Sequence, residues 1–227
     1  MPQNFTGEDV DRALADAQQF KLAGNFEQAL ERHLWYHENA LKYAPAHCGV
    51  RLSFALNAWA ELGKVYKVAL EALRLTRDNA LATYRMAPSD SLLLGEVMSL
   101  NFCLNDIRSA KELFYEGLKH NADTNLMLNL DEILEAGEEA WARDIIGDPN
   151  ERLESIKDQR DLIALSMKLN KSLGDHAKFL DESYARQIAM LLEAVEKTHG
   201  LPKAQELQQE ALTILDLPEI RAAISGG

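Results

Sequence analysis

The feature that most constrains this 227-residue chain is a recurrence. Gly24-Asn25-Phe26-Glu27-Gln28-Ala29-Leu30 opens an amphipathic run that closes in Ala40-Leu41-Lys42-Tyr43-Ala44-Pro45. Gly63-Lys64-Val65-Tyr66-Lys67-Val68-Ala69-Leu70 opens a second, closing near Ala87-Pro88. Asn105-Asp106-Ile107-Arg108-Ser109-Ala110-Lys111 opens a third, followed by Leu113-Phe114 and Gly117-Leu118-Lys119. The matching alanines Ala29, Ala69 and Ala110 stand 40 and 41 residues apart. Further helical periods fill residues 9–23, 50–62 and 92–104. Each unit therefore reads as helix, turn at Gly or Asn-Asp, helix, then a break at or near proline, which is an αα-hairpin. Composition agrees: leucine and alanine fill 66 positions, against 12 glycines and 6 prolines. Strong helix formers and few breakers predict an all-α fold and exclude collagen-like, disordered and disulfide-scaffold classes.

These segments resemble tetratricopeptide repeats, whose second helix opens G-D/N-Y/F-x-x-A-L and ends A-L-x-x-x-P. The third unit matches best, with Ala110-x3-Phe114 at the family spacing; the first carries about one extra turn between opening and close. The second departs most, with Leu73 where an aromatic is usual, and the period exceeds the family's 34 residues. Trp59-x2-Leu62-Gly63-x2-Tyr66 also fits the family's first-helix signature, but that register puts Leu75 and Asn79 where a small alanine and an aromatic should follow. The register with Gly63 as the hairpin turn agrees with Gly24 and Asn105 and is preferred. The resemblance covers residues 8–122. It implies an α-α superhelix, a solenoid of about five hairpins, whose concave groove binds a peptide or protein.

Beyond 122 the repeat fades but the helical period continues. Residues 126–146 read as one helix, stopped by Gly147-Asp148-Pro149; Asp148 and Pro149 then form an N-cap and first-turn pair for a helix to about 173. Gly174-Asp175-His176 restarts a helix to 198, Gly200-Leu201-Pro202 starts one to 215, and 218–224 packs as a cap. No composition shift marks a boundary, so one continuous domain over 1–227 is expected, with 123–227 as divergent repeats and cap. The first residues lack a basic and an apolar signal region, and no run approaches a membrane span. Cys48 and Cys103 lie far apart in apolar patterns and read as free buried thiols. A cytoplasmic location follows.

The sequence carries no phosphate loop, no G-x-G-x-x-G, no H-E-x-x-H and no G-x-S-x-G, so the chain is expected to be non-enzymatic and to need no cofactor. His33 and His37 stand four apart on one helical stripe, a spacing that can share a metal, with His47 and Cys48 following. The preferred assignment makes His33 a packing residue and His37 a polar groove residue, with no metal. Trp35, Tyr36, Phe54 and Trp59 either line a peptide groove or form core between the first two hairpins. By the resemblance, first helices face the concave surface, which makes Arg51, Asn57 and Asn101, with His37 and Trp59, the groove candidates.

Charge is uneven. The net is -12, and residues 125–227 carry 20 acidic against 11 basic side chains. Between 131 and 151 eight carboxylates face Arg143 alone. On one helix, Asp131, Glu132, Glu135, Glu138 and Glu139 would make a contiguous acidic face able to attract a basic partner. Direct nucleic-acid binding is disfavoured, because it needs a basic footprint. Two functions compete: an adaptor or scaffold that clamps a peptide in its groove, and a bacterial immunity or inhibitor protein whose acidic face covers a basic toxin or nuclease.

Overall fold

Helix formers separated by single turn residues give a chain whose regular structure is helical throughout. The computed structural model describes residues 5–120, 126, 129–169 and 177–224, and no strand occurs among them. Contacts divide the chain into two units, residues 1–124 and 125–227, where the sequence predicts one continuous domain. The division falls where the repeat pattern ends.

The first unit holds α1 (Gly7–Leu22), α2 (Phe26–Tyr43), α3 (Cys48–Leu52), α4 (Phe54–Val65), α5 (Lys67–Met86), α6 (Ser91–Cys103) and α7 (Ile107–Lys119). Sequential helices pack on one another, α1 on α2, α4 on α5, α5 on α6 and α6 on α7. The turns have local causes. Gly24 takes φ +76° and Asn105 takes φ +56°, left-handed conformations that glycine and asparagine tolerate best. Asp106 then caps α7, accepting from the Ser109 amide at 3.2 Å. Ala29, Ala69 and Ala110, near the starts of α2, α5 and α7, are all fully buried. One core cluster gathers Leu56, Trp59, Leu62, Leu73 and Leu100; another holds Val10, Ala13, Tyr36, Ala40 and Ala55.

Two local expectations need correction here. Gly63 is not the hairpin turn: α4 continues to Val65 and the chain turns at Tyr66. Gly63 is buried because α5 crosses it closely; a Cβ there would stand 3.1 Å from Leu70 Cβ. Nor is 50–62 one helix. It breaks at Ser53 (φ -129°, ψ -92°), whose hydroxyl donates to the Gly49 carbonyl at 2.8 Å.

The second unit comprises α8 (Leu130–Glu135), α9 (Glu139–Ile146), α10 (Pro149–Leu169), α11 (Ala177–His199), α12 (Leu201–Ile214) and α13 (Pro218–Arg221). α11 is its centre, packed against α8, α9, α10, α12 and α13 through residues such as Tyr184, Ile188, Leu191 and Val195. Asp148 caps α10 as its sequence predicts, accepting from the Asn150 and Glu151 amides at 2.8 and 3.2 Å. Gly200 and Pro202 start α12 as expected. The expected restart at 174–176 lies outside the described residues. Buried Gln208 pins the final turn, its side-chain amide donating to the carbonyls of Ile220 and Arg221 at 2.8 and 3.0 Å. No helix among the described residues is long and apolar enough to cross a membrane.

Candidate functional site

The Ser53 break leaves Arg51 on a five-residue helix of its own, and this places a buried, three-bonded guanidinium between helices of the first unit. Arg51 is only 9% exposed. Its Nε donates to the His37 carbonyl at 2.9 Å, and one terminal nitrogen reaches His37 Nε2 at 3.0 Å and Glu96 Oε1 at 2.6 Å. His37 Nε2 also lies 3.2 Å from the same carboxylate oxygen. A guanidinium only donates, so neutral His37 accepts from Arg51, whereas a protonated ring would donate to Glu96. Three helices, α2, α3 and α6, are tied by this one cluster. Burial pushes the Glu96 carboxyl up, but hydrogen bonding at His37 and Arg51 and the adjacent guanidinium charge outweigh it and bring its pKa to about 2. Glu96 is thus an ionised group under ordinary conditions.

A cavity of about 280 Å³ opens against this cluster, between α2, α5 and α6. Leu34, Ala80 and Leu93 supply apolar wall, while Glu38, Thr76, Asn79 and Thr83 supply polar groups beside His37 and Glu96. The two threonine hydroxyls donate to their own helix, Thr76 to the Ala72 carbonyl and Thr83 to the Asn79 carbonyl, each at 3.0 Å. Their remaining lone pairs can only accept. Both contacts to Glu96 use Oε1, so Oε2 has no partner among the described residues.

The expected groove residues separate on this structure. His37 lines the cavity, and Arg51 meets it from behind the floor. Trp59 does not face a groove: it is 1% exposed, its Nε1 donates to the Ala69 carbonyl at 3.0 Å, and it stacks on His33. Asn101 is also buried, at 2% exposure, accepting from Arg77 at 2.9 Å as a strut between α5 and α6. Asn57 is exposed and accepts from the Cys103 thiol at 3.2 Å. Of the remaining aromatics Tyr36 is core, Trp35 is half-buried and Phe54 is 76% exposed. His33 packs as expected, and burial, aided by the nearby Lys21 charge, lowers its pKa to about 4.

His47 is spent on Tyr36 (3.0 Å) and Asp11 (3.2 Å). Among the described residues no group of three or more His, Cys, Asp or Glu side chains could hold a metal ion. Neither cysteine forms a disulfide, but neither is buried as expected: Cys48 is exposed, because it opens short α3 instead of lying inside a longer helix, and Cys103 is half-buried.

The single acidic helix also requires correction. Asp131, Glu132 and Glu135 lie on α8, Glu139 begins α9 and Glu138 precedes it at the N-cap position. Between them Gly137, at φ +76°, closes α8, with the Glu138 amide bonded back to Ile133 at 3.1 Å. Asp131, Glu132, Glu135 and Glu139 remain exposed, and Glu138 is half-buried.

Sequence reasoning missed Glu96. The signal was present: it is the only charge between 91 and 104, and a lone charge in an apolar helix needs a buried partner. Comparison of the chain with protein-family models, curated proteins and solved structures finds no match.

Proposed function

We propose that the chain is a non-enzymatic helical-hairpin module, tetratricopeptide-like over residues 8–122, that binds a polypeptide partner through its first unit. The observation that carries this reading is the cavity beside Arg51, His37 and Glu96, an apolar-walled recess with unspent acceptors on a rigidly built floor. Such a recess suits one anchoring side chain of an extended segment. The buried alanines at the starts of α2, α5 and α7 support the hairpin-repeat part. The role is that of a cytoplasmic adaptor or scaffold, with the hairpins stacked as a superhelix. The test is selection from a displayed random-peptide library on the full chain, with Thr83→Trp as counter-target. Thr83 is exposed on the cavity wall, so the indole blocks the recess without entering the core. Peptides that bind the wild type and not the variant are expected; a selection whose binders ignore the substitution contradicts the reading.

A second reading draws on the exposed carboxylates of α8 and α9. An inhibitor or immunity protein covering a basic toxin or nuclease would use Asp131, Glu132, Glu135 and Glu139, with Glu138 at the turn between them. Capture of a basic protein that survives Thr83→Trp and is lost in the Glu135→Lys, Glu139→Lys double variant favours it over the cavity.

A further inference from the structure

Any ligand of the cavity must satisfy the chemistry that lines it. Acceptors predominate: Glu96 Oε2, the Glu38 carboxylate, and threonine hydroxyls already committed as donors to their own helix. The cation that balances Glu96 does not line the recess; Arg51 bonds it from behind the floor. An anion entering would meet two carboxylates, with the Asn79 amide and the His37 ring as the only lining side chains able to donate to it. A neutral donor would satisfy Glu96 Oε2, whose charge Arg51 already balances, but would leave the Glu38 carboxylate without a counter-charge among the described residues. A cation on an aliphatic stem answers both parts, charge to the carboxylates and methylenes to the apolar wall.

We propose that the cavity seats the cationic tip of a lysine or arginine side chain presented by a polypeptide, its stem against Leu34, Ala80 and Leu93 and its charge against Glu96 and Glu38. This rests on the polypeptide-binding reading above and names what that site selects. Arg51 and His37 are positioning residues, which hold the Glu96 carboxylate with one oxygen turned to the ligand.

The test is amide NMR of the full chain titrated with capped Gly-Gly-Lys-Gly-Gly, its arginine counterpart, its norleucine counterpart, and cadaverine. The lysine or arginine peptide is expected to give saturable shifts around Ala80, Leu93 and Glu96, and norleucine none. Glu38→Gln, at an exposed position with no bonded neighbour among the described residues, is expected to weaken binding roughly tenfold with the spectrum otherwise unchanged. Glu96→Gln is expected to abolish it. Equal binding of the norleucine peptide, unchanged affinity in Glu38→Gln, or no saturable shift from either cationic peptide overturns the proposal. Cadaverine binding more tightly than the peptides assigns the recess to a free diamine and overturns it too. Selected peptides without lysine or arginine that still compete for the cavity leave the module reading standing and sink this one.

Discussion

His33 and Glu96 carry opposite charges when ionised, yet both tie stability to acid. His33 is held neutral in the folded chain, with its pKa lowered from 6.5 to about 4, so the unfolded chain binds its proton first. Stability from this group is complete above pH 6.5 and is lost as pH falls towards 4, on the order of 3 kcal/mol in full. His33→Phe, which keeps the ring on Trp59, should flatten denaturant-measured stability between pH 6.5 and 4; an unchanged slope there contradicts the assignment. Glu96, lowered from 4.5 to about 2, contributes above 4.5 and loses its contribution as pH falls to 2. Arg51→Ala leaves Glu96 half-buried without its main partner and should cost about 3 kcal/mol, while Arg51→Met with Glu96→Leu should recover most of that. A double variant no more stable than Arg51→Ala would show the cluster's value to be elsewhere. The packing role of His33 was legible from its place on the alanine stripe. The Arg51–Glu96 pair was not, because its partners are 45 residues apart and period alone does not pair helices across that distance.

Within the elements, Gly63 illustrates how a turn residue and a contact residue look alike in sequence. The hairpin between α4 and α5 was legible, but its turn sits at Tyr66, and Gly63 serves instead to let Leu70 approach. Gly63→Ala should therefore destabilise by about 1–3 kcal/mol through overpacking, although alanine is the better helix former. Gly49→Ala, where an added Cβ meets nothing within 4 Å, should be neutral or mildly stabilising. Thermal melts of the two variants decide between the roles, and equal melting temperatures would contradict the close approach. Breaks at Ser53 and Gly137 escaped periodicity for a related reason. Neither has a proline, so the helical pattern reads straight through a hydroxyl bonding back to its own carbonyl in one case and a left-handed glycine in the other.

On the scale of the whole chain, composition and repeat spacing sufficed for the all-α class. They did not reveal the division at 124: no linker marks it, and the excess of carboxylates beyond it reads as a surface property, not a boundary. The two candidate surfaces lie in different units and respond differently to salt. Association through exposed α8–α9 carboxylates should weaken steeply with ionic strength, whereas anchoring against the partly buried Glu96 should fall less. Titrating the bound partner from low to physiological salt and above separates them, and Glu135→Lys with Glu139→Lys should leave cavity binding unchanged. The most direct measurement is amide NMR of the full chain with a peptide selected on the wild type. The account predicts shifts centred on Leu34, Ala80, Leu93 and Glu96 that vanish in Thr83→Trp. Shifts confined to α8 and α9, or persisting unchanged in that variant, would contradict it.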